Sequence, residues 1–169
     1  MKTILIALNC YLAMAWGCLA AVDLYGPYDT HGGRFTLAPV VSYRTTEWAK
    51  TTDKLGGGLA LSFMVANNLS IEASAISYNA TDTPSAWDTF DEGAVNLKGY
   101  LPLRASGFAP YGFVGYTRDH QFDDNLGNIG VGLAYRWKFI EASVDAQGNH
   151  TFENRGAQMR LRASLGIRF

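Results

Sequence analysis

The stretch from Met159 to Phe169 constrains this chain more than any other. Every odd position is apolar (Met159, Leu161, Ala163, Leu165, Ile167, Phe169), while the even positions carry Arg160, Arg162, Ser164, Gly166 and Arg168. Successive side chains on a strand point to opposite faces, so this is a two-faced strand, apolar on one side and basic on the other. A helix would scatter the same residues around its circumference.

The same period recurs through the chain between turn signals, and no stretch beyond the first twenty residues reads as an amphipathic helix. Strands are expected over about Arg34 to Arg44, Leu55 to Val65, Leu69 to Asn79, Gly93 to Leu103, Phe108 to Thr117, Leu126 to Trp137 and Phe139 to Gln147; with the terminal one they make eight. The faces of the fifth, which holds Tyr111, Phe113 and Tyr116 among glycines, stay open. Connections after the second, fourth and sixth strands are short. Those over Thr45 to Lys54, Ala80 to Glu92, Arg118 to Asn125 and Gly148 to Gly156 are longer and polar. Alternating short and long connections, an even strand number and strands of about 9–11 residues describe an all-β, eight-stranded antiparallel up-and-down transmembrane β-barrel.

The start of the chain reads differently. Lys2, the apolar run Ile4 to Leu8, a second run from Tyr11 to Trp16 and small residues from Gly17 to Ala21 make an export signal over residues 1–20, with the barrel domain at 21–169. Removing the signal takes Lys2 from the 14 basic residues and leaves 13 against 15 acidic ones, a net charge of −2 that argues against nucleic-acid binding. Both cysteines, Cys10 and Cys18, leave with the signal, so no disulfide holds the mature domain. Cys18 is a candidate lipid-attachment site, which the bulky Trp16 fits poorly.

Alternation alone does not separate a lipid-facing barrel from a lipocalin-like one with an apolar cavity. The polar face decides, because it is mostly Gly, Ala, Ser and Thr, side chains suited to a crowded narrow interior rather than to a solvated exterior. Its charges are Arg34, Glu72, Lys98, Arg136, Glu141, Asp145, Arg160, Arg162 and Arg168. Unpaired ions in a low-dielectric interior cost several kcal/mol each, so these are expected to form an ion-pair network that fills the lumen. A last hairpin turning near Phe152 sets Asp145 opposite Arg160 and Glu141 opposite Ser164, so that both acids flank Arg162. Tyr43, Tyr78 and Tyr116 at one end, and Trp137, Phe139 and Phe169 at the other, read as two aromatic belts.

In Leu161 to Phe169, Gly130-Val131-Gly132-Leu133-Ala134-Tyr135-Arg136-Trp137, Gly56-Gly57-Gly58-Leu59 and Pro110-Tyr111-Gly112-Phe113-Val114-Gly115-Tyr116, the chain resembles the small outer-membrane β-barrels: the OmpA-like transmembrane domain, the opacity adhesins and their OmpX/Ail-type relatives. The resemblance implies residence in the bacterial outer membrane among lipid and lipopolysaccharide, as a monomer of the porin-like small barrels. It also implies assembly by the outer-membrane insertion machinery, which reads Leu161, Leu165, Ile167 and Phe169, and function through surface loops that meet a host or phage ligand. Since the chain stops at Phe169, the peptidoglycan-binding domain of full OmpA-type proteins is not expected here.

Candidate contact residues in the loops are Trp48, Trp87, His120 and His150; the tryptophans serve equally as interface or loop-packing residues. His120 and His150, with Asp119, Asp123, Asp124 and Glu153 near in sequence, suggest a cation site or hydrolase pair, but ordinary loop histidines make the same pattern, as does His31. No metal, cofactor or catalytic set is expected. The lipid A deacylase pattern, a His and a Ser two residues apart, is missing, since Thr151 and Phe152 follow His150 and Ser143 has the opposite parity. Glycosylation sequons at Asn68, Asn79 and Asn149 mean little in a bacterial protein and count slightly for a secreted lipocalin. The leading expectation is a non-enzymatic barrel acting in adhesion or envelope integrity. The alternative is a narrow OmpW-like channel supported by the glycine-rich second and sixth strands, followed by a lipid A-modifying enzyme and a soluble carrier.

Overall fold

The alternation in each segment becomes one stave of a closed cylinder. A computed structural model describes residues 34–45, 55–66, 68–78, 90–101, 107–120, 123–152 and 157–169. These form β1 (Phe35–Thr45), β2 (Leu55–Ala66), β3 (Leu69–Ser77), β4 (Glu92–Tyr100), β5 (Phe108–Asp119), β6 (Asp124–Trp137), β7 (Ile140–Thr151) and β8 (Ala157–Arg168). Each strand pairs antiparallel with its sequence neighbours, and β1 pairs with β8, closing the barrel. Closure leaves no sheet edge, as a spanning sheet in lipid requires.

The two faces separate as the parity predicts. Leu37, Val41, Leu59, Val95, Val131, Leu133, Val144, Leu161 and Ile167 are exposed on the outside, although each is apolar. Thr36, Ser62, Ser70, Glu72, Asn96, Lys98, Thr117, Asn128 and Gln147 are buried inside, although each is polar. That is the polarity of a barrel in lipid and the inverse of a lipocalin. It also settles the fifth strand: Tyr111, Phe113 and Thr117 point in, and Phe108 and Tyr116 point out.

Several expectations change. β5, β6 and β7 run further than their apolar stripes, so the connection after β5 shrinks to residues 120–123 while the one after β4 covers 101–107, and short and long connections no longer alternate strictly. The ladder needs only backbone groups, and it continues through Arg118↔Asn125, Asp119↔Asp124 and Asn128↔Asn149, where side chains are polar on both faces. The last hairpin is displaced by two residues, pairing Asp145 with Arg162 and Glu141 with Gly166, because β7 continues to Thr151 before turning. A shift of two keeps every side chain on its face. Tyr78 is no belt residue, being 2% exposed inside the barrel, whereas Tyr43, Tyr116, Trp137, Phe139 and Phe169 are exposed. Arg34 is exposed and joins no interior network. Asn68 and Asn149 are buried, which removes the case for glycans there. Leu103, the sequon at Asn79 and the export signal lie outside the described residues.

The parity makes a sharp prediction at one residue. Val131→Arg, on the lipid side at mid-strand, should cost about 2–4 kcal/mol in urea unfolding from micelles. Cost near zero would place that face in water.

Candidate functional site

The site that the sequence points to is the interior, and the strands fill it in three layers. At the end carrying the connections after β1, β3, β5 and β7, here the loop end, Arg44 of β1 reaches Glu92 of β4 (Nη1–Oε1 3.4 Å) and Asp119 of β5 (Nη1–Oδ2 3.7 Å). Arg160 of β8 reaches the other oxygen of Glu92 (Nη1–Oε2 2.6 Å). Tyr78 donates its hydroxyl to Glu92 at 3.4 Å and lies 2.9 Å from the Ser42 hydroxyl, with the Arg44 guanidinium 4.0 Å above its ring.

In the middle layer Glu72 of β3 accepts from Lys98 of β4, from Arg162 of β8 (3.2 Å) and from the Ser62 hydroxyl (3.4 Å). Arg162 also grips Asp145 with two donors, Nε at 2.9 Å and Nη2 at 3.1 Å, the forked geometry that only a guanidinium provides. Tyr111 donates to Asp145 at 2.9 Å. At the opposite end, the turn end, Arg136 pairs with Glu141 directly across the β6–β7 ladder and stands 5.1 Å over the Tyr100 ring. Arg168 donates to the Lys138 carbonyl at 3.5 Å.

Two glycines make this network reachable. Tyr111 and Asp145 both lie opposite Gly132, one on each side of β6. A Cβ on Gly132 would sit 2.4 Å from the Tyr111 ring, so only glycine lets the phenol lie across β6 to reach β7. Gly56 plays the same part at the loop end: it lies opposite Ser42, and its Cβ would sit 2.6 Å from the Tyr78 ring.

Of the expected interior charges, Glu72, Lys98, Arg136, Glu141, Asp145, Arg160, Arg162 and Arg168 are buried inside, but Glu141 pairs with Arg136 rather than flanking Arg162. The sequence reading missed Arg44, Glu92, Asp119 and Asp124, each at most 2% exposed. All four continue the inward parity of their strands past the point where the apolar stripe gives out. Leu161, Leu165, Ile167 and Phe169 stand exposed on the outside. His150 is exposed on β7, facing away from Ser143, whose hydroxyl is instead 2.7 Å from that of Ser164. His120 follows β5 and is exposed, its backbone N–H donating to the Asp91 carbonyl. Trp48, Trp87 and His31 lie outside the described residues, among which no three His, Cys, Asp or Glu side chains come together to hold a metal.

The interior gap between Ser74, Gln147, Glu92, Arg160 and Arg162 has no room for a water-sized sphere. Among solved structures, the N-terminal β-barrel domain of Pseudomonas aeruginosa OprF superposes with a TM-score of 0.56 over 81% of this chain and 99% of that domain, at 13% identity. The chain has the fold of a small outer-membrane β-barrel. A weaker likeness, TM-score 0.44 at 11% identity, joins 80% of the chain to 97% of Ail, the attachment invasion locus protein of Yersinia pestis. No protein-family model matches the sequence, and no curated protein matches it significantly.

Two substitutions test this interior. Glu72→Leu strands Lys98 without its carboxylate and Arg162 with only Asp145; it should cost about 3–5 kcal/mol of unfolding free energy in micelles. Gly132→Val should cost about 1–3 kcal/mol by forcing Tyr111 off Asp145. If Gly132→Val is neutral, the phenol does not cross β6.

Proposed function

We propose that this protein is a non-enzymatic outer-membrane β-barrel whose interior does not conduct and whose work is done at its loop end, in surface interaction, adhesion or envelope integrity. The observation that carries the reading is the middle layer, where Glu72, Lys98, Arg162 and Asp145 join β3, β4, β7 and β8 through direct ion pairs across the lumen. Opening a path for solute would require separating ions that are buried and mutually paired, a cost of several kcal/mol with nothing to offset it. The space beside the β2 and β6 glycines, which favours a channel on sequence grounds, is taken by the rings of Tyr78, Tyr111 and Phe113.

With the inside committed to stability, lipid and lipopolysaccharide would contact the apolar belt. The connections over 46–54 and 79–89, which hold Trp48 and Trp87, would meet any host or phage ligand. Among the described residues no histidine stands beside an interior hydroxyl: Ser143 meets Ser164, and both described histidines are exposed.

Purified protein in planar bilayers should stay silent, without discrete openings, across pH and voltage. Replacing 46–54 and 79–89 by short turns should abolish adherence of expressing cells to cultured host cells, or their resistance to detergent, while leaving barrel folding unchanged. Stepwise conductance in the unaltered protein would instead assign it to transport.

A further inference from the structure

The eight seams of this barrel are not equivalent. At the turn end the closing seam between β1 and β8 is doubly secured: Phe35 and Phe169 exchange backbone hydrogen bonds (3.0 and 2.9 Å), and their rings stack at 6.0 Å. Further along, the ladder is interrupted. It pairs Leu37 with Ile167 and then Val40 with Ser164, skipping Ala38 and Pro39; Pro39 has no N–H to give. The β5–β6 and β6–β7 ladders run without a break.

Beyond that gap, at the loop end, the seam sets Arg44 directly opposite Arg160. Both side chains point inward, exposed by 0% and 2%. Like charges directly opposite on neighbouring strands push the strands apart, the more so away from water. Glu92 touches both arginines. Glu92, on the opposite wall of the barrel, gives Oε1 to Arg44 (3.4 Å) and Oε2 to Arg160 (2.6 Å).

We propose that Glu92 is the clasp of the closing seam: its single carboxylate ties β1 to β8 across the lumen, and without its charge the loop-end half of this seam separates while the turn-end half stays shut. The groups facing it are Arg44 of β1, Tyr78 after β3, Asp119 of β5, in register with Glu92, and Arg160 of β8. Asp119, another acid in reach of Arg44, stands farther from it than Glu92 does, at 3.7 Å against 3.4 Å. This makes the β1–β8 seam a place where the barrel wall opens sideways, set by the charge on Glu92. The clasp rests on the fold alone and stands or falls independently of the role of the loops.

The test uses spin labels at two seam pairs in the refolded full barrel, Tyr43 with Leu161 on the loop side of the gap and Leu37 with Ile167 on the turn side, all exposed and in register. Glu92→Gln should lengthen and broaden the first distance and leave the second unchanged, and amides of 41–45 and 159–163 should exchange at least about tenfold faster. The double variant Glu92→Gln with Arg160→Gln removes the clasp together with the repulsion that it opposes, and should restore the short first distance. If Glu92→Gln alone does not fold, the double variant must fold and stay closed. An unchanged first distance in Glu92→Gln, equal lengthening of both pairs, or a double variant that stays open or unfolded overturns the proposal.

Discussion

Charge neutrality inside a narrow low-dielectric cylinder is the constraint on which the rest of this structure depends. Arg44, Lys98, Arg136, Arg160, Arg162 and Arg168 are buried in the interior, and so are Glu72, Glu92, Asp119, Asp124, Glu141 and Asp145. Among the described residues, buried cations and anions are equal in number. No single layer holds a wide surplus, and partners come from different strands: β1 with β4 and β5, β3 with β8, β6 with β7 and β7 with β8. A buried ion pair contributes little net stability, yet breaking one is costly, so such a set acts mainly to exclude other arrangements of the strands. Register slips are penalised twice, once by apolar side chains turned from lipid and again by stranded ions.

The outside and the inside therefore do different work. The apolar belt provides the general drive into a bilayer and could belong to many sequences. The interior ions, with Tyr78, Tyr111 and Phe113 laid across the glycines of β2 and β6, specify this barrel and no other pairing. The same division explains why weight falls on the loops in the functional reading: a lumen spent on internal pairing has few groups left to meet a solute.

Much of this was legible in the sequence because a strand's period is so short. The terminal alternation from Met159 to Phe169 and its echoes in the other segments sufficed for eight strands, the faces of all but the fifth and most of the interior charges. Parity survives errors of two residues, which is why Asp145 and Arg162 were placed on one face even though their register was wrong. The misses have a common physical origin. Beyond the membrane belt the outward side chains turn polar, as at Arg118, Asn125 and His150, so the apolar stripe ends while the backbone ladder continues. Arg44, Glu92, Asp119 and Asp124 were passed over there, and with them the loop-end layer. Tyr78 was misread for the same reason: a tyrosine near a strand end fits a lipid interface as well as an interior, and only the glycine beneath its ring, Gly56, distinguishes the two.

The direction of the two faces is tested most directly by refolding the chain from urea with and without detergent micelles, following β-content and the gel mobility of unboiled against boiled samples. The structure predicts folding only with micelles, and a mobility that changes on boiling, because the exposed apolar belt needs a lipid-like surface. A stable, monomeric fold in plain buffer would contradict it, since the belt would then have to be turned inward around a cavity and the twelve interior ions outward into water.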